Sequence, residues 1–238
     1  MTTEVLKNCK LWLDGYSLSG YLNAIAIEYG AEMLDATTFG NDTKINAGGI
    51  KTVTAQHEGY WDSEPDGALF GMIGVSDKPM TACPQTGVVG DVAYFFLSNL
   101  AEYSPGAAHG ELFSFSVSAE STGKLVRGEI LINGSALAAS GNGTARQLGA
   151  ASSAQKLYAA LHVTAVDGTL PTLDVVVQSD DAEAFTTATD RITFTQATDI
   201  GSEFKELAGA ITDTWYRISY AIAGTSPQFT FAVAVGIR

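Results

Sequence analysis

Three groups of residues in this chain have types or spacings that could do chemistry. Ser153-Ala-Gln-Lys156 has the Ser-x-x-Lys spacing in which a lysine one helical turn away assists a serine nucleophile. Its flanks read as strand rather than helix and no companion motif accompanies it, so the match is read as chance. Acids stand together at Glu64/Asp66 and at Asp180-Asp181-Glu183. A glycosidase needs two carboxylates held across a substrate, which adjacency in sequence does not supply. A calcium loop wants oxygen ligands alternating around a glycine, and neither the Asp180 to Glu183 run nor Asn41-Asp42-Thr43 provides that pattern. The histidines His57, His109 and His162 are far apart, with no zinc-like spacing to Cys, Asp or Glu. His57, beside Glu58, is expected to make a surface hydrogen bond, and His162, inside an apolar strand, to be packed or hydrogen-bonded in the core. No nucleophile elbow, phosphate loop or dinucleotide fingerprint follows any strand. The expectation is therefore no catalytic residue, no metal ligand, no cofactor and no enzyme.

The aromatic clusters Tyr60-Trp61, Tyr94-Phe95-Phe96 and Trp215-Tyr216 suit a sugar-binding face or a protein interface, since rings bury large area with one polar edge. Core packing is the favoured reading of each. A carbohydrate-binding or decoration β-sandwich is the competing function that they keep open.

Composition narrows the classes further. With 238 residues and 46% hydrophobic content, the chain can bury a substantial core. Only 16% of residues are charged while 25 are glycine, which suits β-structure with tight turns and large uncharged surfaces covered by copies of the same protein. The formal net charge is −13, with 26 acidic residues against 13 basic ones and no cationic cluster. A nucleic-acid grip needs clustered cations, so specific DNA or RNA binding is not expected. An acidic wall could still serve a conduit, because it would not hold a polyanion passing through. Met1-Thr-Thr-Glu-Val5 lacks the basic start and apolar stretch of a signal peptide, and no run is long enough for a membrane span. Cys9 and Cys83 make no disulfide framework, which points to synthesis in a reducing cytoplasm. Asn133-Gly-Ser135 and Asn142-Gly-Thr144 are read as turns.

Most of the chain reads as strands. Ile25, Ile27 and Tyr29 alternate with Ala24, Ala26 and Glu28, and Lys51 to His57 alternates likewise, the period of half-buried strands. Further strand-like runs are Lys10 to Leu13, Val92 to Leu97, Leu112 to Ala119, Lys124 to Ile132, Lys156 to Val166, Thr172 to Gln178, Arg191 to Gln196, Trp215 to Ala223 and Phe229 to Ile237. Two short helices are expected, at Asp66 to Met72 with Asp66 as its cap and at Ser202 to Ala208. The fold expected is mainly β: an antiparallel sandwich or barrel. Between the first two strands lies a loop of Phe39, Gly40, Asn41, Asp42, Thr43, Lys44, Ile45, Asn46, Ala47, Gly48 and Gly49, whose length marks it as functional or disordered. Phe39, Ile45 and the following Ile50 imply that something covers it.

Leu34-Asp-Ala-Thr-Thr-Phe-Gly40, Gly48-Gly-Ile-Lys51, Glu58-Gly-Tyr-Trp-Asp62, Gly90-Asp-Val-Ala-Tyr94, Tyr103-Ser-Pro105, Gly110 and Leu125-Val-Arg-Gly128 occur in an order that resembles the major tail tube proteins of long-tailed bacteriophages. The resemblance covers roughly the first 130 residues and rests on the order of the motifs. It implies a virion structural protein, assembled in the host cytoplasm, that stacks as homo-oligomeric rings into a tail tube beside other tail proteins. DNA would pass through the lumen without specific binding and without a membrane. The loop Phe39 to Gly49 would be the inter-ring stacking element. Phe113-Ser-Phe-Ser-Val117 and Phe229-Thr-Phe-Ala-Val233 alternate alike, each downstream of a Ser-Pro, which hints at duplication. A tail-tube-like unit at 1–133 and a second β-sandwich unit at 134–238 are then expected; if the second duplicates the first, trimeric rings of pseudo-sixfold symmetry follow, and these are favoured over the hexamers that one tube unit with an outward appendage would give. In that case the stacking contact would be threefold around a lumen that looks sixfold.

Overall fold

A computed structural model describes residues 6–238; Met1 to Val5, the segment read for a leader, lie outside them. The elements run β1 (Lys10–Leu13), β2 (Tyr16–Ser17), β3 (Leu22–Asp35), β4 (Asn46–Tyr60), α1 (Ser63–Met72), β5 (Lys78–Cys83) and β6 (Val92–Gly106). They continue with β7 (Ser114–Ser121), β8 (Val126–Leu137), β9 (Gly141–Asn142), β10 (Arg146–Gln147) and β11 (Lys156–Asp180). The last three are β12 (Thr189–Thr193), β13 (Gly201–Ala208) and β14 (Trp215–Ile237). The fold is mainly β and its strand pairs are antiparallel, as the alternation implied. Among the described residues no helix is long and apolar enough to cross a membrane.

Contacts divide the chain into two compact units. Among the described residues unit 1 comprises 6–20, Asp77–Leu97 and Val126–Arg238, and unit 2 comprises Tyr21–Ser76 and Ser98–Leu125. A boundary at Asn133/Gly134 falls inside β8, whose ladder with β14 runs on either side of it. Asn133-Gly134 is therefore not the hairpin turn expected; it sits in a strand where the register slips, with Gly134 at φ +75.

Unit 1 is organised by the long pair β11 and β14. Residues 157–167 of β11 lie against 228–237 of β14, and residues 172–180 against 215–223. Residues 167–171 and 224–228 fall between runs expected as separate strands, yet each strand continues through them. The tetrapeptides Gly168-Thr-Leu-Pro171 and Gly224-Thr-Ser-Pro227 face each other about the Thr169–Thr225 pair, where the register shifts. Gly168 (φ +109) and Gly224 (φ +126) hold conformations that a side chain would strain, and a Cβ there would come within 2.7 Å of Ser226 O and 2.9 Å of Leu170 O. The bulges bend the ribbon rather than end it. Leu157, Leu161 and Val163 from one arm consequently share a core with Val175, Val177, Tyr216 and Ile218 from the other, together with Phe229, Phe231 and Val233.

The opposite side chains of β11, Tyr158 and Ala160, pack with Trp12, Phe95, Val126, Ile130, Ala232 and Ala234. Burial on both faces explains the unbroken apolar run of this strand. His162 continues that row and is fully buried, as expected. Its Nε2 lies 2.7 Å from Thr81 Oγ1 and its Nδ1 2.8 Å from the carbonyl of Asp14.

The expected helix at Ser202 to Ala208 is strand β13, paired with β11 from Lys156↔Ala208 to Val163↔Gly201. Glu203, Lys205 and Glu206 favour helix locally, but eight residues of ladder along a central strand outweigh a propensity worth tenths of a kcal/mol per residue. The first helix does form, with Asp62 rather than Asp66 as its N-cap: Asp62 Oδ1 accepts from the Glu64 amide at 3.0 Å.

Candidate assembly surface

Unit 2 is a four-stranded antiparallel sheet in the order β3-β4-β7-β6, with β6 contributing residues 98–106. β3 and β4 form one hairpin, but β7 accompanies β4 only from Thr54 to Tyr60. Residues 46–53 of β4 pair with β3 alone, so a two-stranded ribbon of about 26 Å, at about 3.3 Å per residue, runs on past the sheet.

The turn closing the ribbon spans residues 36–45, so it begins three residues before the expected loop of Phe39 to Gly49 and ends four residues before that loop does. Asn46, Ala47 and Gly48 already pair with Asp35, Leu34 and Met33. Phe39, Gly40, Asn41, Asp42, Thr43, Lys44 and Ile45 are in the turn. It is ordered by its own polar groups: Ala36 N donates to Ile45 O (2.8 Å), Ile45 N to Thr37 Oγ1 (2.9 Å) and Thr37 N to Asp35 Oδ1 (2.9 Å). The hydrogen bonds from Thr37 hold the Asp35 carboxyl below its ordinary range, with Lys44 helping at 3.7 Å. Asn41 N returns to Thr38 O, and Gly40 takes the positive φ (+95) that the turn requires at its third position. Phe39 is thereby placed at the corner, fully exposed, with Met33, Leu34, Ile45 and Ile50 exposed along the ribbon. Among the described residues nothing buries these side chains.

The two faces of the sheet differ. One carries Val53, Ala55, His57, Phe115, Val117, Ala119 and Leu100, all buried, and α1 lies on this side. Pro65, Leu69 and Met72 are the buried residues of α1. Asp66, freed from capping, fastens the helix: its Oδ1 accepts from Tyr103 Oη (2.6 Å) and Trp61 Nε1 (2.8 Å), which lowers the carboxyl's pKa. Tyr21 Oη donates to Glu64 at 2.8 Å. His57 does not make the expected surface hydrogen bond. Strand alternation turns it inward, paired with Val117 and Ile25, and Glu58 outward. It is 1% exposed, neither ring nitrogen has a hydrogen-bond partner among the described residues, and burial pushes its pKa down to about 4.

The other face is read from the register, since residues directly opposite share a side. Its rows are Glu28, Thr54, Glu120, Asn99; then Ala26, Gln56, Ser118, Glu102; then Ala24, Glu58, Ser116, Ser104. It is a surface of hydroxyls, amide, small residues and four glutamates with no Lys or Arg in those rows. The signal was present in the sequence as Ser114, Ser116 and Ser118 alternating with Phe115 and Val117, but only the register shows that the glutamates of four strands fall on the same side.

The remaining chemical candidates are occupied by structure. Asp180 is buried and accepts from the amides of Ala182 (3.0 Å) and Thr187 (2.8 Å), shaping the loop after β11. Asp213 takes Ser179 Oγ (2.6 Å) and Arg191 (2.8 Å), and these bonds lower its pKa. Lys156, last residue of the Ser-x-x-Lys spacing, opens β11 and ion-pairs with Glu206. Among the described residues no three His, Cys, Asp or Glu side chains form a metal-binding group. Of the aromatics, Phe95, Phe96 and Tyr216 are core residues as expected, whereas Tyr60 and Trp61 are exposed.

No protein-family model matches the sequence, and no curated protein matches it. Among solved structures the chain is similar to a protein of the virion of a native gene transfer agent particle, at 15% identity and TM-score 0.44, over 52% of this chain and 97% of that one. It is similar to the SPP1 tail tube at 10% identity and TM-score 0.42, over 50% of this chain and 76% of that one. It is similar to the SPP1 Dit protein, described as a hub adsorption apparatus of phages infecting Gram-positive bacteria, at 10% identity and TM-score 0.39, over 98% and 100% of the two chains.

Proposed function

We propose that this chain is a structural subunit of a phage tail tube, assembling with copies of itself into stacked rings beside other tail proteins, with the virion tail as its location. The observation that carries the reading is the four-stranded sheet of unit 2, apolar and helix-covered on one face, acidic and cation-free on the other. A monomer has no evident use for a broad, flat, one-signed polar face. A conduit for a polyanion does, because its wall must neither pair with phosphates nor offer them a cation.

In a ring, the outer strands β3 and β6 of neighbouring sheets would join into a barrel, removing edges that otherwise invite aggregation. Size favours one arrangement. Three copies of a four-stranded sheet would close with roughly 18 Å between backbones at about 4.8 Å per strand, and six copies with roughly 37 Å before strand tilt widens it. A duplex, with grooves about 8.5 and 7.5 Å deep on either side of its base pairs, is roughly 20 Å across. If unit 2 alone forms the wall, the ring takes six copies; a trimer would require unit 1 to supply a second sheet of the same kind. The ribbon that ends in Phe39 would reach from one ring to the next.

Negative-stain electron microscopy of the purified protein is the direct test, with rings and tubes expected. A monodisperse monomer at high concentration would refute the reading. Deleting Asn41 to Asn46 should leave a folded protein that no longer forms tubes, and unchanged tubes would remove the stacking role of the turn.

A further inference from the structure

The sheet of unit 2 has a second exposed apolar surface, at the end opposite the ribbon. There Tyr60 pairs with Ser114, Trp61 N donates to Phe113 O (3.0 Å), and the Trp61 and Phe113 rings meet at 5.4 Å. Tyr60 is 51% exposed, Trp61 37%, Leu112 73% and Phe113 46%. We infer that this aromatic end is the acceptor on which the ribbon tip of a second copy of the chain docks. The inference rests on the stacking reading above and names the surface that receives the ribbon.

Three observations support that occupant. An isolated two-stranded hairpin is marginal in water, yet this one extends past the sheet with Met33, Leu34, Phe39, Ile45 and Ile50 exposed, so its partner must be apolar. Charge differs between the same two ends, the ribbon mixing Lys44 and Lys51 with Glu32, Asp35 and Asp42. The Lys and Arg residues of unit 2 are Lys44, Lys51 and Lys124; the first two are on the ribbon and Lys124 follows the end of β7 nearest to it. The aromatic end carries Asp62, Glu64, Asp66 and Glu111 and no cation of unit 2. Finally, donor and acceptor at opposite ends of one sheet make a heterologous contact, which repeats head to tail without closing and so builds a stack.

The test uses the full chain in three forms: the parent, Phe39→Asp with a spoiled ribbon and Leu112→Asp with a spoiled acceptor. Both side chains are exposed, so circular dichroism and melting should match the parent. Each variant alone should form rings but at least tenfold fewer tubes in micrographs. Preformed rings of the two variants, mixed in equal amounts, should sediment as ring pairs, because one supplies an intact ribbon and the other an intact acceptor. Leu112→Met should keep tubes, and Tyr60→Ser, at an independent position on the same end, should reproduce the loss. Tubes from Leu112→Asp at the parental level, or a mixture that stays as single rings while the parent forms tubes, would overturn the acceptor and leave the stacking reading intact. A parent without rings or tubes would remove both. A glycan bound at the aromatic end with tube formation unaffected by Leu112→Asp would assign that surface to carbohydrate instead.

Discussion

Lowering the pH from 7.5 to 5 should destabilise this protein, and His57 supplies the clearest handle. Burial holds both His57 and His162 at about 4, against 6.5 for a free side chain. Between those values the unfolded chain binds more protons than the folded one, so stability is complete above pH 6.5 and falls as pH drops toward 4. At pH 5, about 1.5 pH units below the unfolded value at about 1.36 kcal/mol per unit, each histidine accounts for about 2 kcal/mol. The two together reach about 4 kcal/mol, a large share of a typical stability of about 5 to 15 kcal/mol. The window stops at pH 5 because Asp66 and Asp213, whose pKa values are lowered, release their contributions only as pH approaches the ordinary carboxylate range. Asp181, raised by its neighbour Asp180, acts in the opposite sense from an exposed position. His57 belongs to unit 2 and His162 to unit 1, so each unit should carry its own share of the loss. His57→Leu should remove the unit 2 share. Because neither nitrogen has a partner among the described residues, the substitution should also stabilise at pH 7.5 by about 1 to 3 kcal/mol. Urea denaturation of parent and variant at pH 7.5, 6 and 5 measures both effects. A parent whose stability changes by less than about 0.5 kcal/mol across that range, or a variant with the parental slope, would refute the reasoning.

Two further outcomes test the sheet itself. Gly59→Ala would place a Cβ 2.3 Å from the carbonyl oxygen of Tyr21 and 3.0 Å from the Phe115 ring, so it should cost about 1 to 3 kcal/mol in denaturation experiments; a neutral result would mean that the β3–β4 end relaxes freely. The triple variant Glu28→Lys, Glu58→Lys, Glu120→Lys changes three exposed positions on one face. It should stay folded and acquire salt-dependent affinity for duplex DNA in fluorescence anisotropy, whereas the parent should show none; equal binding by the two would argue against a repulsive wall.

Much of the fold can be read locally. A period of two appears in Ile25, Ile27 and Tyr29 and in Phe115, Val117 and Ala119, and those residues lie on one face because strand geometry alternates side chains wherever the strand is paired. The turn at Phe39 and Gly40 is likewise local, since its hydrogen bonds link residues within nine positions. Other features were hidden because their cause is distant in sequence. Ser202 to Ala208 is strand because β11 lies alongside it. Pro171 and Pro227 mark bends rather than ends because each faces the matching bulge of the other strand. The helix begins one turn before Asp66, which is thereby left to bind Tyr103 and Trp61, and the inward turn of His57 follows from register.

Alone, the sequence determined a β-rich chain with an acidic balance and an unusual segment around Phe39, because composition, periodicity and turn chemistry are written residue by residue. Tertiary structure decided what those features become. Pairing of β3, β4, β7 and β6, brought together from separate stretches of the chain, gathers Glu28, Glu58, Glu102 and Glu120 onto one face and leaves the Phe39 turn at the end of a ribbon that β7 does not reach. Register between distant strands, which no local pattern encodes, sets which side chains share a surface.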